Sequence, residues 1–182
     1  TATDSNNTAV GYNAGKAVTT GVENTLIGAL AGDALTATNE NTAVGKSALS
    51  TDTLGSRSTA IGQGTLASQN FTTSTQTFNT AVGFQAGTAV TTGVQNTLIG
   101  GLAGDALTDA DFNAAVGVGA LGSDTLGSRS VAVGQQALGS QNFTSATDTY
   151  NTAVGFFAGL NVTTGTLNTL IGGLAGDALT VG

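Results

Sequence analysis

The residues that could carry acid–base or metal chemistry in this chain are eleven carboxylates, two tyrosines and four cations, because the sequence contains no His and no Cys. Without them neither a Ser-His-Asp or Cys-His pair nor a thiolate zinc site can form. The cations Lys16, Lys46, Arg57 and Arg129 are dispersed and cannot neutralise a run of phosphates. The sequence therefore predicts a protein that is not an enzyme, uses no cofactor and binds no nucleic acid.

The carboxylates recur at spacings that argue against a shared site. Asp33, Asp105 and Asp177 each stand in Gly-Asp-Ala-Leu, too far apart in the chain to hold one cation and typical of turn residues. Asp109 and Asp111 form a lone Asp-x-Asp, which is a weak calcium signal. The net charge of -7 opposes an anionic membrane surface, and no segment reaches the roughly 20 apolar residues of a spanning helix. We expect no metal site and no membrane insertion.

A short phrase, Asn-Thr-Ala-Val-Gly or a close variant, organises the whole chain from residue 1 to 182. Three successive intervals between its copies are of seventeen residues and the fourth is of twenty-one, and this pattern itself repeats. The super-repeats span 7–78 and 79–150, with a partial copy at 151–182. Such a chain is one solenoid domain in which each unit contacts mainly its neighbours. The copies begin at Asn7, Asn24, Asn41, Ser58, Asn79, Asn96, Asn113, Ser130, Asn151 and Asn168.

Each unit predicts a strand followed by a corner. Counting the Asn or Ser as position zero, position three is always Val or Ile and position four is always Gly. A β-branched residue before an obligatory Gly indicates a short strand that enters a tight bend. Position eleven is Val or Leu in six units, which favours a second short strand. The sequence thus predicts an all-β parallel solenoid of ten rungs, each of seventeen or twenty-one residues.

Stacked rungs place identical side chains above one another. The position-zero amides should form a structural ladder. Position two is Ala or Leu beside the Val or Ile of position three, so both faces of the strand are apolar. We expect one face to fill the thin coil and the other to pack against a second copy, which predicts a homo-oligomer. The ladder residues are Asn7, Asn24, Asn41, Asn79, Asn96, Asn113, Asn151 and Asn168.

The Asn-Thr-Ala-Val-Gly-x-x-Ala and Ser-Val-Ala-Val-Gly-x-x-Ala units, the latter at 130–137, resemble two families of repeats. They are similar to the repeat shafts of phage tail fibres and to the head repeats of trimeric autotransporter adhesins. The resemblance implies a left-handed parallel β-roll in an intertwined or side-by-side homotrimer. It also implies an extracellular role in attachment, on a virion appendage or a bacterial surface. Because the repeats start and stop without capping segments, we expect the chain to be a segment of a longer fibre.

The longer fourth unit of each block supplies the candidate binding loops. Extra residues in a solenoid leave as a loop on one face, and both loops contain Ser-Gln-Asn-Phe-Thr. Repeated weak contacts there could bind a cell-surface polysaccharide or another envelope receptor with avidity. The alternative is that the phenylalanines cap the roll or wedge between subunits. The candidate surface residues are Gln69, Asn70, Phe71, Gln141, Asn142 and Phe143.

Three functional interpretations remain from the sequence. The leading one is a structural and attachment fibre shaft of the phage tail-fibre kind, and the head or stalk of a bacterial adhesin is the alternative. A third, of another class, is an ice-binding solenoid that uses the Thr column at position one. That column is interrupted by Ala114 and Val131.

Overall fold

The structure, a computed structural model, describes residues 4–181, which form a β-solenoid without helices. Ten strands of three residues each occupy positions one to three of the ten units, and four strands of two residues lie in the third and fourth rungs of each block. The fourteen strands are β1 (Thr8–Val10), β2 (Thr25–Ile27), β3 (Thr42–Val44), β4 (Gly55–Ser56), β5 (Thr59–Ile61), β6 (Thr75–Gln76), β7 (Thr80–Val82), β8 (Thr97–Ile99), β9 (Ala114–Val116), β10 (Gly127–Ser128), β11 (Val131–Val133), β12 (Thr147–Asp148), β13 (Thr152–Val154) and β14 (Thr169–Ile171).

The ten longer strands form one parallel sheet in the order β1-β2-β3-β5-β7-β8-β9-β11-β13-β14. Each strand pairs with the same three positions of the next rung, so Thr8 faces Thr25 and Val10 faces Ile27. The longer fourth rung does not disturb this register, because Thr59 faces Thr80 and Ile61 faces Val82 across the block boundary. The predicted parallel solenoid of ten rungs is confirmed.

Alternation along each strand decides which side chains fill the coil. The residue at position two points inward, and Leu26, Ala43 and Leu98 are fully buried or nearly so. Ala at position seven and Leu at position eight complete the interior in the third rung, as Ala48 and Leu49 show. The residues at positions one and three point outward, away from this core. The interior is thin and built largely from Ala and Leu, because so short a rung encloses little volume.

The glycine at position four is required by the stacking itself. Gly28 has φ of 128°, and a Cβ on it would lie 2.6 Å from the carbonyl oxygen of Gly45 in the next rung. Its backbone N–H also donates to the carbonyl oxygen of Val10 at 2.8 Å. Only Gly allows that backbone conformation and that close approach together.

The second strand lies elsewhere than position eleven predicts. Leu35 and Val90 at that position are buried, but they belong to the irregular segment after the corner. The second strands are β4, β6, β10 and β12, which pair as β4 with β6 and β10 with β12. The assignment of position eleven to a strand is wrong, because burial of one apolar residue per rung produces the same pattern as a strand does.

Candidate functional site

The asparagines of position zero link successive rungs through their side chains. Asn41 donates its backbone N–H to Asn24 Oδ1 at 3.0 Å, and its Nδ2 donates to the carbonyl oxygen of Gly55 at 3.0 Å. Asn96 repeats this arrangement with Asn79 Oδ1 and the carbonyl of Ala110. Most members of this column are buried, so they hold the coil together and offer nothing to a ligand. The ladder residues Asn7, Asn24, Asn41, Asn79, Asn96, Asn113, Asn151 and Asn168 all take part.

A second ladder, of threonines at position twelve, was missed from the sequence. Thr36 Oγ1 donates to the carbonyl oxygen of Thr53 at 2.9 Å, and Thr108 Oγ1 donates to that of Thr125 at 3.0 Å. The signal was present, because position twelve is Thr in every unit except the fourth of each block, where it is Asn. These hydroxyls donate hydrogen bonds to the next rung and support the stacking.

The candidate binding residues of the longer rungs lie mostly in the interior. Gln69 and Gln141 are fully buried, and Phe71 and Phe143 are only 7% exposed. Their side chains cannot form the expected contact surface, because the coil encloses them. Asn70 is partly exposed and Asn142 is exposed. In each longer rung the three residues after the phenylalanine are exposed, Thr72 to Ser74 and Thr144 to Ala146.

Gln69 belongs to a buried polar cluster with Asp52, Ser58, Thr77 and Asn79. Its Nε2 donates to Asp52 Oδ2 at 2.6 Å and to Ser58 Oγ at 2.9 Å. Its Oε1 accepts from Asn79 Nδ2 at 2.9 Å. Ser58 Oγ and Thr77 Oγ1 lie 2.6 Å apart, and Thr77 Oγ1 donates to the carbonyl of Ser56. We call this set the lower polar cluster.

The second block repeats the arrangement in an upper polar cluster of Asp124, Gln141, Ser130, Thr149 and Asn151. Gln141 Nε2 donates to Asp124 Oδ2 at 2.5 Å, and Asn151 Nδ2 donates to Gln141 Oε1 at 2.8 Å. In both clusters the carboxylate also accepts two backbone N–H groups, those of Gly127 and Phe143 for Asp124. All five side chains in each cluster are buried, and each has partners inside the chain.

An exposed cluster surrounds each arginine. In the second block Arg129 pairs with Asp148 and lies 4.8 Å from the ring centre of Phe112. Arg57 forms an ion pair with Glu40 at 3.2 Å, donates to Gln76 Oε1, and lies 5.7 Å from the ring centre of Phe78. Phe78 itself is 48% exposed. Polar side chains beside an exposed aromatic ring suit a ligand that has both an apolar face and hydroxyl groups, such as a sugar.

The outer face of the ten-stranded sheet is a long uncharged surface. It consists of the residues at positions one and three of the ten strands, and none of these twenty residues is charged. Position three is always Val or Ile, and Ile27, Ile61 and Ile99 are each about 40% exposed. Half-exposed aromatic residues flank two of these strands, Phe78 and Phe84 on either side of β7 and Tyr150 and Phe156 on either side of β13.

The carboxylates at position nine do not form a site. Burial raises the pKa of Asp105 above its ordinary value, and a backbone hydrogen bond at the same residue partly offsets this effect. Within residues 4–181 no group of three His, Cys, Asp or Glu side chains could hold a metal ion, and the surface carries no pocket. The same part of the chain has no helix with the length and apolar character needed to cross a membrane.

Comparison of the chain with protein-family models, with curated proteins and with solved structures found no match. The class of protein is therefore set by the fold, which is a repeat β-solenoid.

Proposed function

We propose that this chain is a shaft segment of an extracellular attachment fibre, of the kind found in phage tail fibres, and that it works as a homotrimer. One observation carries the proposal: the outer face of the ten-stranded sheet is uncharged and bears a continuous column of Val and Ile. At the usual spacing of paired strands this face is roughly 45 Å long. A continuous apolar column of that length, on a face without a charge, is the kind of exposed surface that marks an interaction site.

A second copy of the same chain is the partner that fits this face. Parallel copies in the same register present identical columns to one another, so the repeat spacing matches along the whole rod. The exposed charged side chains, such as Lys46, lie off this face and would stay in water. Three copies around a common axis would cover the three faces together and would leave no open heterologous surface.

The experiment is a mass measurement under non-denaturing conditions, by sedimentation or native mass spectrometry. The unmodified protein should have the mass of three chains. Val82→Glu/Val116→Glu places two carboxylates on the outer face and should yield single chains with an unchanged circular dichroism spectrum. The matched control, Thr51→Glu/Ser123→Glu, adds the same charges at exposed positions away from the sheet and should remain trimeric. An unmodified protein with the mass of one chain would refute the proposal.

The attachment role is supported by the exposed clusters around the two arginines. They recur once per block, about 19 Å apart along the rod, and weak contacts repeated on several chains give avidity. We propose a surface polysaccharide as the ligand class. The test is binding of labelled protein to purified bacterial polysaccharides, with Phe78→Ser/Phe112→Ser, which removes the ring beside each arginine, as the variant. Loss of binding with an unchanged native mass supports the role, whereas equal binding by the variant would contradict it.

Ice binding is the second candidate, and the Thr column favours it. Thr at position one points outward in eight of the ten strands, and Thr25, Thr42 and Thr59 stack in direct register. This column lies on the same outer face, so burial between copies and contact with ice exclude one another. A thermal-hysteresis measurement on the same sample as the native mass separates them: a single chain with activity supports ice binding, and a trimer without activity rejects it.

A further inference from the structure

The two buried polar clusters point to a device that fixes which rung stacks on which, and we propose that this is their role. The ten-stranded sheet cannot do so by itself, because its strands are almost interchangeable. Seven of the ten strands are Thr-Ala-Val or Thr-Leu-Ile, with the same outward and inward sides, and the position-four glycines of successive rungs stack on one another. The asparagine ladder is uniform too, except at Ser58 and Ser130. A rung that looped out during folding would therefore leave these contacts nearly complete.

Inside the coil the rungs differ in side-chain size at positions two and eight, and at position eleven they also differ in charge and polarity. Within the first block position eleven is Val18, Leu35, Asp52 and Gln69, and within the second it is Val90, Leu107, Asp124 and Gln141. The order apolar, apolar, acid, amide is thus the same in both blocks and has the period of the super-repeat. The clusters explain why the sequence repeats with the period of a whole block. If stacking required only identical short units, no longer period would be needed.

The hydrogen bonds make the order specific. Asp52 accepts through Oδ1 from the backbone N–H groups of Gly55 and Phe71 and through Oδ2 from Gln69. The Phe71 donor belongs to the longer rung, so only that rung satisfies this carboxylate. If the third rung looped out, Gln69 would stack on Leu35; if the fourth looped out, Asp52 would lie beneath Val90. Either error buries an amide or a charge without its partner, which is strongly unfavourable.

Ser58 is part of the same device. At position zero of the fourth rung it replaces the usual Asn, and the amide of Gln69 occupies the place next to it. Asn79, the next member of the ladder, donates its Nδ2 to Gln69 Oε1 instead of to an Asn below. The upper cluster shows the same exchange at Ser130, where Gln141 donates to Ser130 Oγ at 2.9 Å. Acid, amide and serine therefore form one unit, which closes a block and begins the next.

The test uses the absence of cysteine, because engineered pairs then report stacking without background. Thr42→Cys/Thr59→Cys joins neighbours that face each other in the native register. Thr25→Cys/Thr59→Cys joins residues two rungs apart, about 9.5 Å, beyond the reach of a disulfide unless the third rung is looped out. Each pair is refolded under oxidising conditions, and crosslinks within a chain are separated from those between chains by denaturing mass.

The variant that removes the lower cluster is Asp52→Leu/Ser58→Asn/Gln69→Val, which copies residue types from other rungs. In the native background only the 42/59 pair should crosslink. In the cluster-free variant the 25/59 crosslink should rise at least about tenfold while the 42/59 crosslink falls. An unchanged crosslinking pattern in a folded variant would overturn the proposal.

A milder variant keeps the test informative if the triple variant does not fold. Asp124→Leu/Gln141→Val leaves the lower cluster intact as an internal reference. The matching cysteine pairs are Ala114→Cys/Val131→Cys for the native register and Thr97→Cys/Val131→Cys for a skipped rung. Skipping confined to the second block supports the proposal. Unfolding of this variant as well would show that the clusters serve folding in general, and it would overturn the specific role.

Discussion

Asp52 and Gln69, one rung apart, are joined inside the coil by a hydrogen bond of 2.6 Å from Gln69 Nε2 to Asp52 Oδ2. Both residues are fully buried. Replacing Gln69 by Met keeps its length but removes the donor for Asp52 and the acceptor for Asn79. Because a buried carboxylate then loses a partner, we expect Gln69→Met to lower the free energy of unfolding by about 3 kcal/mol. Urea denaturation followed by circular dichroism measures it.

The control for this change is Gln63→Met, in the same rung but with an exposed side chain. It should alter the free energy of unfolding by no more than about 0.5 kcal/mol. Equal effects of the two substitutions would mean that the buried amide contributes nothing beyond its packing.

The sequence predicts the sheet of this protein well, and its interior less well. Val10 before Gly11 indicates a strand and a bend, and a regular spacing indicates stacking, because both signals are local. Which residues of the loop face inward is not determined by the local sequence. Phe71 and Gln69 stand in a polar, loop-like stretch, yet the coil encloses them, because Asp52 one rung earlier supplies their hydrogen-bond acceptor. Such a pairing becomes visible only when position eleven is compared rung by rung.

The candidate site was predictable to a smaller extent, because it too depends on contacts between residues that are distant in the sequence. The outward direction of Ile27 follows from strand alternation once Leu26 is known to face the core. The left-handed backbone of the residue before each unit does not follow from residue type, since Arg57, Phe78 and Leu167 adopt φ of 66°, 51° and 62° there. This conformation is imposed by the stacked turn, and it sets where the arginine and aromatic side chains emerge.

Gly28→Ala should be among the most damaging small substitutions in the chain. Its φ of 128° is costly for a residue with a Cβ, and that Cβ would meet the carbonyl oxygen of Gly45 at 2.6 Å. We expect a loss of at least about 3 kcal/mol from the backbone conformation and the clash together. The urea midpoint gives the comparison with Gly101→Ala, where φ is not in the left-handed region and the nearest atom lies 3.9 Å away. A similar midpoint for both variants would contradict the role assigned to the corner.

The two arginines keep one carboxylate partner each, but from opposite sides. Arg57 pairs with Glu40 in the rung before it, whereas Arg129 pairs with Asp148 in the rung after it at 2.5 Å. The residues at equivalent positions of the two blocks explain this difference. Phe112 of the second block takes the position of Glu40, and Gln76 of the first block takes the position of Asp148. Both pairs are well exposed, so each should contribute less than about 1 kcal/mol.

Glu40→Gln and Asp148→Asn test this estimate, with stability measured in low and high salt. The small loss should shrink further at about 1 M salt, since screening acts on exposed charges. A loss above about 2 kcal/mol that persists in salt would show that these pairs are buried in the assembled protein, for example between copies.

Asp105 should give the protein a small pH dependence of defined sign. Burial raises the pKa of this carboxyl above its ordinary value, so the folded chain binds its proton more tightly than the unfolded chain does. The resulting stabilisation is fully present below the unfolded pKa of about 3.9 and is lost as the pH rises through the higher folded pKa.

Asp105→Asn removes the titration. The stability of the native protein relative to this variant should therefore be greater at pH 3 than at pH 7, by less than about 1 kcal/mol because the group is partly exposed. Urea denaturation of both proteins across that range measures the difference, and Asp4→Asn, the same change at an exposed position, controls for loss of the charge alone. A relative stability that rises with pH would reverse the sign and show that hydrogen bonding to the carboxylate outweighs its burial.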